Sequence, residues 1–129
     1  MTTKDWLKDL QAETNLKNEH DVYILMVRTL QILRDRVTLE EAVDLGAQLP
    51  LIIRGAYYDG WKPDTEPLKF KKVEEFYELL QSSLTISEDI ESEKAAKAVF
   101  KVLANRISAG ELKDMKTMLP DVFEELFPE

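Results

Sequence analysis

His20 is the only imidazole available as a base, and it stands between Glu19 and Asp21. Nucleophilic catalysis needs a nucleophile within hydrogen-bond reach of a base that a third group orients. A histidine flanked by two acids at a helix start is expected instead to be an exposed first-turn side chain. Cysteine is absent, which excludes thiolate nucleophiles, disulfides and thiolate metal sites. One histidine without cysteine cannot close a zinc site. No Glu-x-x-His pair suits a helical di-iron centre, no oxygen-rich twelve-residue loop suits calcium, and no glycine-rich loop suits phosphate. Carboxylates do cluster, as Glu40/Glu41/Asp44, Glu74/Glu75/Glu78, Glu88/Asp89/Glu91 and Glu124/Glu125. Acid–base catalysis would need one of such a pair buried, with its pKa raised, and the sequence singles out none. The expectation is a protein without catalytic residues, metal or cofactor.

One stretch stands apart: Arg54-Gly-Ala-Tyr-Tyr58-Asp59-Gly-Trp61-Lys62-Pro63. Trp, Tyr and Arg are the usual anchors of binding sites, so Arg54, Tyr58, Asp59, Trp61 and Lys62 are the candidate binding residues. The leading expectation is a helical interaction module that uses this surface for a protein partner or a second copy of itself. The alternative is a small-molecule-binding protein or hydrolase with its cleft between two halves of the chain. There Arg54 would hold an anion, Tyr58 would donate a proton and Asp59 would act as base. The structural reading of the same residues is that Tyr57 is core and Trp61 covers a seam.

The charge balance, 25 acidic against 17 basic residues for a net −8, repels phosphate backbones and anionic lipid. Nucleic acid and membrane are therefore not expected partners. The densest basic group, Lys69, Lys71 and Lys72, runs directly into Glu74, Glu75 and Glu78. No apolar run approaches the ~18 residues of a membrane span. The start of the chain lacks a basic and then apolar leader, so a cytoplasmic location is expected.

The elements that must position these residues read as helices. Val22, Leu25, Met26, Thr29, Leu30 and Leu33 recur at helical spacing, as do Ala96, Val99, Phe100 and Leu103. So do Ala42, Leu45 and Leu49, and Ile52, Ile53, Ala56 and Tyr57; no alternating strand pattern occurs. Shifted by 70 residues, the chain aligns on itself. Leu10 meets Leu80, Leu33 meets Leu103, Arg36 meets Arg106, Glu41 meets Glu111, Asp44 meets Asp114 and Pro50 meets Pro120. The expected fold is all-α, a single domain over 1–129 with about eight helices in two tandem four-helix pseudo-repeats (4–59 and 69–129). Residues 60–68 link them, and the two are expected to share one core. The helices are placed at 4–13, 19–35, 39–48, 50–58, 69–81, 92–105, 109–118 and 120–127.

Thr38-x-x-Glu41 and Ser108-x-x-Glu111 read as capping boxes, each hydroxyl accepting from the N3 amide while the glutamate reaches back. Arg36 and Arg106 fit the C-terminal ends of the preceding helices, where a cation suits the dipole. Pro50 and Pro120 fit the first turn of the last helix in each half.

The joined motifs Arg34-Asp-Arg-Val-Thr-Leu-Glu-Glu-Ala42, Leu45-Gly-Ala-Gln-Leu-Pro50 and Ile53-Arg-Gly-Ala-Tyr-Tyr-Asp-Gly-Trp61 resemble the first half of a prokaryotic domain-of-unknown-function family, DUF2267. Ile107-Ser-Ala-Gly-Glu111 and Met118-Leu-Pro-Asp121 resemble its second half. The resemblance spans nearly the whole chain and implies a bacterial or archaeal helical protein. It brings no activity, cofactor or catalytic residue.

Overall fold

The computed structural model describes residues 2–63, 70–119 and 121–128, apart from the Met118 side chain. Among them are seven α-helices and one 3-10 helix, with no strand. The α-helices are α1 (Thr3–Thr14), α2 (Glu19–Arg34), α3 (Leu39–Gln48), α4 (Leu51–Tyr58), α5 (Val73–Ser83), α6 (Ser92–Arg106) and α7 (Ala109–Met118). A terminal 3-10 turn follows over Asp121–Leu126.

Each start has a local cause. The Thr2 side chain accepts from the Asp5 amide while the Asp5 carboxylate takes the Thr2 amide, a complete capping box that begins α1. Asn18 Oδ1 accepts from the His20 and Asp21 amides at 2.9 and 3.3 Å and opens α2. Thr38 Oγ1 takes the Glu41 amide at 3.3 Å and Ser108 Oγ the Glu111 amide at 3.1 Å, opening α3 and α7. Asn15 ends α1 at φ 62°, a left-handed cap that asparagine tolerates.

The long helices α2 and α6 carry the packing. α1 lies against α2 and α6, α5 against α6 and α2, and α2 touches α6. α4 covers α2, the terminal turn covers α6, and α3 packs on both α4 and α7. One cluster of buried side chains runs from Trp6 through Leu25, Leu45, Tyr57, Phe76 and Phe100 to Leu126. Phe76 meets Phe70, Phe100 and Phe123 edge-on, with ring centroids 5.3–6.3 Å apart, the geometry that aromatic quadrupoles favour.

Two polar ties cross the chain. Buried Asp21 accepts from the Ser87 amide and hydroxyl and the Glu88 amide, and Glu88 in turn accepts from the Lys17 and Asn18 amides. Arg106 grips Asp9 through two bonds of 2.6 and 3.1 Å.

Several expected boundaries move. Pro50 is the N-cap of α4 rather than a residue of its first turn, and its carbonyl accepts the Arg54 amide at 2.8 Å. The helix placed at 69–81 begins at Val73 and runs on to Ser83; residues 64–69, most of the expected linker, lie outside the described residues. So does Pro120, and the last helix is 3-10 instead of α. In a 3-10 turn residues i and i+3 eclipse, which lets six residues bury Phe123 and Leu126 along one edge.

Candidate functional site

The Arg54–Pro63 segment is built on α4 and the turn that ends it. Gly60, at φ 74°, takes the left-handed conformation that lets the chain leave the helix. The Arg54 side chain lies along α3: its Nε and Nη2 donate to the Leu49 carbonyl at 3.2 and 2.8 Å, and Nη2 to the Ala47 carbonyl at 3.5 Å. It thus satisfies carbonyls that the end of α3 leaves open. The Tyr58 hydroxyl donates to the Val43 carbonyl at 3.4 Å, and its ring lies where a side chain at Gly46 would project. Trp61, half-buried, tilts onto Tyr58 at 5.5 Å between centroids and packs against the core. Asp59 and Lys62 are exposed. Tyr58 and Trp61 therefore form one aromatic ledge on α4, while Arg54 is turned inward.

Three residues that sequence reasoning passed over hold this ledge from behind. Buried Arg34 donates through Nη1 to the Tyr57 and Asp59 carbonyls at 2.6 and 3.0 Å and through Nε to Asp35 at 3.0 Å. Gln31 donates to the Ala56 carbonyl at 2.8 Å and accepts from Arg28 at 2.7 Å. Their spacing of three along an otherwise apolar helix, Arg28-x-x-Gln31-x-x-Arg34, is a signal that could have found them.

The apolar residues left most open are elsewhere on the same two helices. Leu51 is 79 % exposed, Ile52 61 %, Leu39 53 % and Val43 46 %. Ile52 was expected within the apolar stripe of α4, but only Ile53 and Tyr57 of that helix are buried. Pro50 caps α4 directly after α3, so Leu51 and Ile52 fall in a first turn that no described helix covers. On α3, Leu39 and Val43 stand one turn apart, beside the core stripe of Ala42, Leu45 and Leu49. Arg54 meets the C-terminal end of α3 and Tyr58 its middle, so the two helices run antiparallel. Leu51, Arg54 and Tyr58 follow one face of α4 along that seam, and Leu39 and Val43 continue it.

The opposite edge of α3 is acidic. Glu41 and Asp44 look toward Glu111 and Asp114 of α7. Burial pushes the Glu41 carboxyl above its ordinary range, and Asp114, Asp44 and Glu40 push it further. Glu111 is raised by burial and then by Glu41, Asp44 and Asp114. This corrects the expected capping boxes: the hydroxyl halves form, but neither glutamate reaches back to its cap amide. Instead Glu41 Oε2 and Glu111 Oε1 are buried without a hydrogen-bond partner.

Arg36 and Arg106, equivalent in the alignment, also differ. Arg106 closes α6 on Asp9, whereas Arg36 lies beyond α2 with its guanidinium 3.7 Å over the Phe70 ring. His20 is exposed on the first turn of α2. Among the described residues, no group of three or more His, Cys, Asp or Glu is placed to hold a metal ion. An open cleft of about 1140 Å³ lies between Lys71, Lys72, Lys116, Leu119, Phe123 and Phe127. None of Arg54, Tyr58 and Asp59 lines it.

The fold and this face define an all-helical protein with apolar and acidic strips side by side on one helix. Over residues 3–126 the chain matches the family described as "Uncharacterized conserved protein (DUF2267)", and it belongs to that family. No curated protein matches the chain.

Proposed function

We propose that this protein is a non-catalytic helical interaction module of the bacterial or archaeal cytoplasm, and that it binds a protein partner through the α3–α4 face. The observation that carries the reading is the set of four large aliphatic side chains, Leu39 and Val43 on α3 and Leu51 and Ile52 at the start of α4, standing open on neighbouring helices. Leu39 and Val43 lie one turn apart and Leu51 and Ile52 are adjacent, and grouped exposed apolar residues mark an interaction site more often than scattered single ones do. The Tyr58–Trp61 ledge borders the same seam and extends it. Arg54, Asp59 and Lys62 then serve as a polar rim rather than as anchors. The net charge of −8 favours a partner other than nucleic acid, and among the described residues no helix is long and apolar enough to cross a membrane.

The internal duplication, read as two halves sharing one core, supports the choice of face. In the 70-residue alignment Leu39, Val43 and Leu51 fall on Ala109, Lys113 and Asp121. At these three positions the second half has small or charged residues where the first has open aliphatic ones, while Ile52 falls on Val122. A structural demand common to both halves would not produce that difference.

A photo-crosslinking residue placed at position 51 in the native cell tests the reading. Discrete cross-linked proteins are expected from position 51, identifiable by mass spectrometry and lost on Val43→Glu. The same residue at exposed position 109 is the control. Identical patterns from both positions, or no adduct from 51, would rule the reading out.

A further inference from the structure

The same face indicates what kind of partner it takes, an inference that rests on the interaction reading above. Passing around α3, the side toward α4 carries Leu39 and Val43, the outermost side carries exposed Glu40 and Asp44, and the side toward α7 carries Glu41. Beyond it Glu111 and Asp114 continue the acidic strip, and two of these carboxylates have a buried oxygen that no donor reaches. On α3 an apolar strip therefore runs directly beside the exposed carboxylates Glu40 and Asp44, with Asp114 exposed on α7.

We infer that the α3–α4 face docks a cationic amphipathic helix of another protein, its apolar side on Leu39, Val43, Leu51 and Ile52 and its Lys/Arg edge along Glu40, Asp44 and Asp114. Three considerations select this occupant. Charge complementarity requires a basic partner, and it disfavours a second copy of this chain, which would bring its own −8 and the same acidic rail. Area argues the same way: four aliphatic side chains at these exposures present roughly 400 Å², within the span of a monomer's main apolar patch and about half of the ~800 Å² each side of a stable complex covers. Such a patch fits a single short segment. Finally, the described residues hold no strand whose edge could pair with an extended peptide. Recognition falls to side chains in a shallow seam, the mode by which grooves take amphipathic helices.

The probe is a synthetic 18-residue helix with a leucine face and lysines along one edge, compared with a counterpart carrying glutamates at those positions. Both are titrated against the full chain by fluorescence anisotropy at low salt, and amide chemical shifts map the contact. The lysine-edged peptide is expected to bind at least tenfold tighter than the glutamate-edged one, with shifts concentrated on α3 and α4. V43E/L51E should weaken it at least tenfold, and E40K/D44K at least fivefold with a shallower salt dependence. V43S/L51S, milder at the same exposed positions, should still weaken binding at least threefold and keeps the test valid should the glutamates disturb folding.

Equal affinity for the two peptides, shifts centred on the Lys71–Phe123 cleft, or indifference to V43S/L51S would overturn the inference. So would a concentration-dependent dimer that V43S/L51S abolishes, which would give the face to a second copy. A cross-link from position 51 to a protein without a basic helix would overturn the partner chemistry while leaving the interaction reading standing. Absence of any cross-link would remove that reading itself.

Discussion

Glu41 and Glu111 show how two residues of one sequence pattern can depart from the role the pattern implies. In a Thr/Ser-x-x-Glu box the carboxylate answers the cap amide, but here both face other acids across α3 and α7. Because burial and like charge raise their folded pKa values, the folded state binds protons more tightly than the unfolded state. Stability linked to them is absent above the raised values, grows as pH falls through them, and is complete below the ordinary glutamate value. Asp5 and Asp21 have the opposite sign. The Thr2 amide and hydroxyl hold Asp5 low, and for Asp21 the Ser87 and Glu88 donors outweigh a burial effect that pushes upward. Their contribution is present above the ordinary aspartate value and lost as pH falls through the depressed ones. Thermal unfolding should therefore show a midpoint that climbs from pH 7 toward about 4.5 and drops at lower pH. Glu41→Gln with Glu111→Gln should raise the midpoint at pH 7 and flatten the climb; a profile unchanged by the pair would disprove the assignment.

Gly46 lies so close to α4 that an added Cβ would land on the Tyr58 hydroxyl. Gly46→Ala should destabilise by about 1–3 kcal/mol through that overlap. With Tyr58→Ala in place the same change should become favourable by about 0.5–1 kcal/mol, the ordinary gain of alanine over glycine within a helix. Chemical denaturation of the four variants measures both values, and additive effects would show that Gly46 is not there to seat the tyrosine.

At the scale of elements, hydroxyl caps and apolar periodicity placed most of the helices. Thr38 and Ser108 open α3 and α7 where the spacing puts them, because an N-cap is a local device that few residues can supply. Thr38→Ala should cost about 0.5–2 kcal/mol in denaturant unfolding, and Ser108→Ala a similar amount. A loss well below that range would mean the hydroxyl bond contributes nothing net. Thr2-x-x-Asp5 is the same kind of local signal, and it opens α1. What periodicity could not supply was the identity of the covered face. Ile52 and Ile53 are equally apolar, yet one is open and the other fully buried, a difference set by where α2 lies. The ties from Arg34 and Gln31 to the end of α4 span 25 residues or fewer, but they end on backbone carbonyls, which carry no sequence signature. The site was legible to the same degree. Its aromatic ledge was visible as composition, whereas Arg54 looked like an anchor because its carbonyl partners on α3 were not.

At the scale of the whole molecule, the two segments 4–59 and 69–129 pack on each other through several helix pairs as well as within themselves. α1 lies against α6, α5 against α2, and α2 and α6 touch. The Asp9–Arg106 pair and the bonds of Asp21 to Ser87 and Glu88 also cross between segments. A chain of roughly 60 residues is already marginal as an independent domain, and here each half would also expose the faces of α2 or α6 that the other half covers. Expressed alone, residues 1–63 should lack a cooperative thermal transition by circular dichroism, and so should residues 64–129. Mixed at equal concentration, the two should recover helicity and a single transition, since the interlocking helices need no covalent link once paired. A cooperative melt of either half alone would show that its own four elements suffice for a core. The pairing of α1 with α6 would then be a docking of finished units rather than the step that completes the fold.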